Sequence, residues 1–530
     1  MNDETVFLNG RIFTSDEKHP YADAMIVKNG KIFWIGDEKE VNKCRDVVDL
    51  KGRTVLPGFI DAHMHPLLLA DAINRTACTP PVVNSIEDIK KEIRKKRELQ
   101  GPGKWIEGWG FDEEKLAEGR TPNRHDLDEA VTDAPVVLTR TCCHILSVNS
   151  AALKLAGIDG NTPTPSGGFI DRDEDGEPIG ILKETARYLI QNILPEKTKE
   201  DTAMLLAKVG EKLLSQGITV ISEAFGTTGT PDCMEVYSAA RGCGLKQKVA
   251  LYYMWDDLKS VNEFNKESAD RNSPVFIGGV KVLADGTISG KTAWVNPGYY
   301  NDEANHGLST VTEEELLAAG RFAKENNLQL IVHAMGEQAI DLVVNTFSNK
   351  KGWLNGMPSI RIEHAAMPSK KSLELAAKIG IAFVSQPIFM YAEIESYIKN
   401  LGAERTKTVY PYKDILNEGI KLCFSSDAPA TAWADPSNPW VAIKSAVTRK
   451  GYDGTDTGQS QKLDVETAVR MYTSEAQGIL GIPNTGRLIE GHDADFIVLD
   501  RNIFETNPHE IDEISVAETY INGEMVFKNK

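Results

Sequence analysis

His63-Met64-His65 sits in the run from Val55 to Pro66 and sets two imidazoles on one side of an extended segment, because side chains two apart on a strand share a face. Two neutral imidazole nitrogens aimed at one point begin a divalent transition-metal site, since zinc accepts nitrogen ligands at about 2.0–2.1 Å. One pair alone is half a site, and an isolated pair also reads as two unrelated histidines on a solvated strand end. The missing donors lie further along the chain. His333 closes the apolar run from Leu330, His364 closes the run from Arg361, Asp427 follows the run from Ile420, and Lys281 ends another. The chain has only 10 histidines, so four of them at the ends of predicted strands is poorly explained by chance. His19, His125, His306, His492 and His509 fall outside that pattern and read as structural or solvated.

Positioning such donors requires a repeating scaffold. A helix, a glycine and a short apolar run ending in a polar residue recur several times. Helix 201–216 stops at Gly217 before Ile218; a helix from about Thr312, with a capping box to Glu315, precedes the run to His333. Helix 369–379 stops at Gly380 before the run to Gln386, and helix 411–418 stops at Gly419 before the run to Asp427. Strands are expected to end near His63, Thr141, Glu223, Lys281, His333, His364, Gln386 and Asp427. This is α/β grammar and predicts a (β/α)8 TIM-type barrel over residues 56–484, whose functional groups gather where strands end. Residues 1–55 and 485–530 carry short strands punctuated by Asn9-Gly10, Asn29-Gly30 and Asn522-Gly523, which predicts one small β-sandwich domain built from both termini. The gap between His65 and Pro135 is too long for one crossover helix. An insertion after the first barrel strand is expected at about 67–134, including a solvated helix from Glu87 to Gln100.

Composition narrows the function classes. The 530 residues carry 59 Lys+Arg against 77 Asp+Glu, a net charge of −18, which repels nucleic acid and anionic membrane. The seven cysteines are odd in number and scattered, and the adjacent Cys142 and Cys143 read as part of a buried strand. A reducing cytoplasm is the expected compartment. The first residues show no basic segment followed by an apolar stretch, and no run reaches membrane-spanning length. Gly286 to Gly290 lacks P-loop spacing, and Gly278-Gly279 lacks a dinucleotide fingerprint. A small-molecule substrate is the expected partner.

With these motifs the sequence resembles the amidohydrolase superfamily, and within it the branch that includes N-substituted formamide deformylases. The segments that carry the resemblance are Pro57 to His65, Lys281 to Ala293, Val332 to Gly336, Arg361 to Ala365, Ser425 to Pro429, and Gly486 to Phe496. The resemblance implies two divalent ions, for which the nitrogen and carboxylate donors fit zinc, with manganese, cobalt or iron the alternatives: His63, His65 and Asp427 hold one, His333 and His364 the other, and Lys281, carboxylated by carbon dioxide, bridges them. An ammonium cannot ligate and is disfavoured beside two cations; the alternative for Lys281 is an ion pair with Asp285 or another acid, and for Asp427 a helix N-cap. The implied reaction is attack of a hydroxide held between the ions on an amide carbonyl, with Asp427 passing a proton to the leaving nitrogen. His144 resembles a family position that hydrogen-bonds the oxyanion, or else is a structural histidine. Trp105 and Trp109 are read as pocket walls, with core packing the alternative, and Gln386 and Phe389 as facing the substrate. Glu223 is read as an acid touching a ligand, with a ligand role of its own the alternative. A homodimer is the family expectation. The competing readings are a one-metal deaminase, an ester or lactone hydrolase on the same barrel, or a catalytically silent scaffold.

Overall fold

The computed structural model describes residues 4–41, 46–141, 144–195, 197–261 and 264–529; the strand expected at Cys142 and Cys143 lies outside them. The chain forms two compact units, one of Met1–Pro66, Leu206–Ala428 and Ser437–Lys530, the other of Leu67–Leu205 and Pro429–Pro436.

The first unit is built on an eight-stranded parallel sheet. Its strands are β1 (Phe59–Met64), β2 (Ile218–Gly226), β3 (Lys248–Met254), β4 (Val275–Leu283), β5 (Gln329–Ala334), β6 (Ile360–His364), β7 (Ala382–Ser385) and β8 (Leu422–Phe424), each paired with the next. Beyond the end of β8 the seam to β1 is closed by the Asp427 N–H donating to the His63 carbonyl and the His65 N–H to the Ala428 carbonyl, both at 2.8 Å. The sheet thus curls into a nearly closed barrel, as the repeated helix-strand grammar requires. Fully buried Ile60, Val220, Ala250, Phe276, Ile331, Val384 and Cys423 pack into one apolar cluster drawn from seven different strands.

Local signals set the connections. The helix Glu313–Glu325 before β5 has the predicted capping box: Glu315 N–H donates to Thr312 Oγ1 at 3.2 Å, and Thr312 N–H donates back to Glu315 Oε2 at 2.9 Å. The helix Lys370–Ile379 before β7 starts on a Ser369 cap and ends at Gly380, whose φ of +81° is the left-handed turn that stops it.

Two expectations need correction. The strand expected to end near Thr141 is Val136–Arg140, and it lies in the second unit, parallel to Ile106–Phe111 and antiparallel to Ile145–Val148. The strand that completes the barrel is β3, which ends on Met254 and carries no donor to mark it. Short apolar runs look alike whichever sheet they join. The second unit also runs well past residue 134, because it has its own six-stranded sheet and its own apolar clusters, one around Ile89, Ile106 and Leu138 and one around Leu146, Leu153 and Leu182.

Strands within residues 4–49 form a four-stranded sheet, and strands from both chain ends form a six-stranded sheet, in which Phe496–Leu499 pairs with Thr54–Pro57. Phe7 packs edge-on against Phe496 and Tyr520 at 5.1 and 5.5 Å. These sheets fall in the same compact unit as the barrel. Among the described residues no helix is long and apolar enough to cross a membrane.

Candidate metal centre

The carboxyl ends of the strands bring the donors together. His63 lies in β1 and His65 just beyond it, Lys281 in β4, His333 in β5, His364 at the last position of β6, and Asp427 three residues past β8. Two of these positions are strained: His364 and Asp427 have φ of +71° and +54°, a left-handed conformation that costs a non-glycine residue about 1–3 kcal/mol and recurs at functional sites. At His364 the strain has a visible use. Strict alternation along β6 would send Glu363 and His364 to opposite faces, yet Glu363 contacts His63 and the His364 ring lies 5.2 Å from the His63 ring.

His65 Nε2 lies 2.8 Å from Asp427 Oδ1 and His63 Nε2 lies 3.4 Å from the same oxygen. One donor atom from each of these three residues falls within 4.8 Å of the others. The His333 and His364 rings are 4.4 Å apart, centroid to centroid, so a second pair of imidazoles adjoins the first set. Lys281 is buried among them, and no hydrogen bond or ion pair to a described residue holds its ammonium. Asp285, the alternative partner for Lys281, instead accepts the backbone N–H groups of Trp294, Met335 and Gly336 at 2.8–3.0 Å. A Cβ on Gly336 would stand 2.2 Å from the Trp294 carbonyl oxygen, so only glycine allows that close approach.

His63, His333 and His364 each spend one nitrogen on an oxygen and keep the other, whereas His65 faces a carboxylate with both. His63 Nδ1 donates to Glu363 Oε2, His333 Nε2 donates to the Gly286 carbonyl at 2.9 Å, and His364 Nδ1 donates to Gln386 Oε1 at 2.8 Å. His65 Nδ1 faces Glu223 Oε1 at 3.5 Å. Carbonyl and carboxylate oxygens only accept, so the hydrogen sits on the nitrogen facing them and the lone pair points away, which is the arrangement of a metal-ligating histidine.

The electrostatics agree. Burial, helped by the nearby Lys281 charge, pushes His63 and His333 well below the usual imidazole range, and burial takes His364 down to about 4 against the pull of Asp427. Neutral imidazole is the ligating form. His65 is the exception: burial opposes its charge, but Asp427 and Glu223 raise it to about 9, so that a proton sits where a cation would be held. Burial lowers Lys281 to about 8 against the opposing pull of Glu363 and Asp427. Asp427 Oδ1 and His65 Nδ1 are buried without a well-aligned hydrogen bond. A buried set of imidazole nitrogens and a carboxylate oxygen gathered within 4.8 Å, with the His65 proton standing where a cation would be held, fits a divalent cation.

The other predicted residues fall into two groups. Gln386 is fully buried, and its amide is spent on His364 and, at 2.8 Å, on Ser425 Oγ rather than offered outward. Phe389 stacks on His364 with centroids 5.9 Å apart. Glu223 accepts from the Tyr237 hydroxyl at 3.0 Å while facing His65. His144, Trp105 and Trp109 belong to the second unit. There His144 Nδ1 pairs with Glu184 at 3.0 Å, Trp105 packs against an apolar cluster, and Trp109 lies in the strand Ile106–Phe111. Sequence reading gave no role to Arg361 and Glu363. Two charged residues alternating in a strand next to a ligand histidine were the available signal.

Imidazoles and a carboxylate gathered at the ends of parallel barrel strands define the class: an enzyme of the metal-dependent hydrolase barrels. The amidohydrolase family model matches residues 46–527. The chain is 31% identical to the YtcJ protein of Bacillus subtilis (strain 168) over 99% of each chain. It is 28% identical to the N-substituted formamide deformylase of Arthrobacter pascens over 99% of this chain and 98% of the relative. A crystal structure of a metal-dependent hydrolase from Pyrococcus horikoshii OT3 superposes with a TM-score of 0.74 at 27% identity, covering 96% of this chain and 99% of that one. The chain belongs to the amidohydrolase family, and it is a hydrolase acting on carbon–nitrogen bonds other than peptide bonds.

Proposed function

We propose that the protein hydrolyses the carbon–nitrogen bond of a small N-formyl, N-acyl or other amide at a centre of two zinc ions. The observation that carries this reading is the convergence of His63, His65 and Asp427 beside His333, His364 and Lys281. His63, His65 and Asp427 would hold one ion, His333 and His364 the other, with Lys281 carboxylated between them. Bound divalent ions supply an activated water at neutral pH and polarise a substrate carbonyl. Asp427 accepts a proton at its Oδ1 and returns it to the leaving nitrogen, a step that amide cleavage needs because an amide anion leaves poorly. Phe389, stacked on His364, walls the site on one side. The N-formyl choice draws on the likeness to the formamide deformylase. The buried free thiols Cys78, Cys233 and Cys423 support a reducing, cytoplasmic compartment.

Elemental analysis of the purified protein, with a panel of N-formyl, N-acyl and cyclic amides assayed with and without chelator, tests this. The expected result is close to two metals per chain and activity lost on metal removal. The triad His63, His65 and Asp427 alone suits a single ion, so one metal per chain with release of ammonia from an amino-substituted ring would favour a deaminase instead. Full activity in metal-free protein would overturn the reading.

A further inference from the structure

Beneath the metal centre the barrel encloses a guanidinium. Arg361, in β6, is fully buried, a rare placement for an arginine unless it is paired. Its Nε lies 2.6 Å from Glu363 Oε1, and the other oxygen of that carboxylate receives the Nδ1–H of His63. Its Nη2 donates at 2.9 Å to the carbonyl of Ala62, the residue before His63. Its Cζ stands 4.5 Å from the centre of the Tyr252 ring in β3, and the Tyr252 hydroxyl is held by Gln329 of β5 at 3.2 Å. β6 neighbours neither β1 nor β3 in the sheet, so these contacts cross the barrel interior.

We infer that Arg361 and Glu363 are positioning residues that fix the ring orientation and tautomer of His63, so that only Nε2 is presented to the metal. Arg361 holds the backbone before His63 and the carboxylate behind it, and Tyr252 limits where the guanidinium can move. Without Arg361 the Glu363 carboxylate is free to change rotamer, and without Glu363 the His63 hydrogen can move to Nε2 and block the ligand atom. Stability alone is a weak reason for such a pair, since well-packed apolar residues of similar volume often replace buried ion pairs without loss of stability.

This inference rests on the proposed metal centre, and its test separates the two. Zinc affinity is measured on full-length, chelator-stripped protein by competition with a chromophoric chelator, alongside the melting temperature of the metal-free form. The double variant Arg361→Met/Glu363→Leu is expected to bind zinc about 10–100-fold more weakly with little change in metal-free melting temperature. Glu363→Gln keeps the shape if the double variant fails to fold, and is expected to bind about tenfold more weakly. In 15N spectra of histidine-labelled, metal-free protein, His63 should hold one tautomer in the parent and a mixture in Glu363→Gln. Tight zinc binding in the parent with unchanged affinity and tautomer in the variants overturns the inference alone. A parent chain that binds no zinc overturns the metal centre and the inference together.

Discussion

At the scale of single residues, the site separates donors from the groups that aim them. The proposed mechanism gives Asp427 a second task beside that of ligand, because its Oδ1 stands near both His63 and His65. Asp427→Asn keeps the shape and one oxygen ligand but removes the carboxylate that would carry the proton. The expected outcome is retention of most bound metal by elemental analysis and a fall in kcat of about 10²–10⁴-fold; full turnover would remove the proton-carrying role. Gln386 accepts from His364 Nδ1 and donates to Ser425 Oγ. Gln386→Leu strands His364 Nδ1 and the Ser425 hydroxyl, and is expected to weaken zinc binding about tenfold, read by the same chelator competition. If that variant instead raised KM and left metal affinity intact, Gln386 would belong to the substrate after all. The convergence of the histidines and Asp427 was legible in sequence because all of them follow apolar runs, and barrel strands carry such ends to one mouth. Glu363 and Arg361 were not, because whether a buried charge has a partner depends on packing across the barrel, between β6 and β1.

At the scale of elements, local chemistry fixes where helices begin but not which sheet a strand joins. The capping box at Thr312 satisfies two backbone donors at the start of the helix that leads into β5 and His333. Thr312→Ala should destabilise the protein by about 1 kcal/mol, seen as a lower denaturant midpoint, with catalytic constants unchanged because the helix lies outside the site. A loss well below that would mean that tertiary packing alone sets this helix start. The box was readable from four residues. Strand membership was not: Val136–Arg140 and β3 are both short runs rich in apolar residues, and only the finished ladders separate them, one with an antiparallel neighbour at Ile145–Val148 and one parallel on both sides. Counting strands by their terminal donors reached the right number by including a wrong member, since β3 offers no donor at its end. The left-handed backbone at His364 and Asp427 was equally hidden, because neither residue type demands positive φ.

At the scale of the whole molecule, the two chain ends meet at the foot of the barrel, and one buried carboxyl sits at the join. Asp495 leads into Phe496–Leu499, its backbone carbonyl accepts from Gly58 just before β1, and its side chain accepts from the Asn522 N–H at 2.8 Å. Burial raises its pKa to about 6, partly offset by that N–H; Asp493 pushes it higher still, while Lys248 and Lys31 pull it down. A carboxyl whose folded pKa exceeds its unfolded value binds its proton more tightly in the native state. Its stabilising contribution is therefore complete below about pH 4 and is lost as pH rises through about 6. A shift of roughly two units sets the upper bound at about 3 kcal/mol. Asp495→Asn keeps an acceptor for Asn522 and removes the titration. The variant should match the parent near pH 4 and exceed it by up to about 3 kcal/mol at pH 7, measured by urea unfolding with metal-free protein at both pH values, so that ligand binding does not contribute. Parallel stability profiles, offset by the same amount at every pH, would show that the Asp495 carboxyl is already ionised in the native join and that the sheet closing the two ends tolerates its charge.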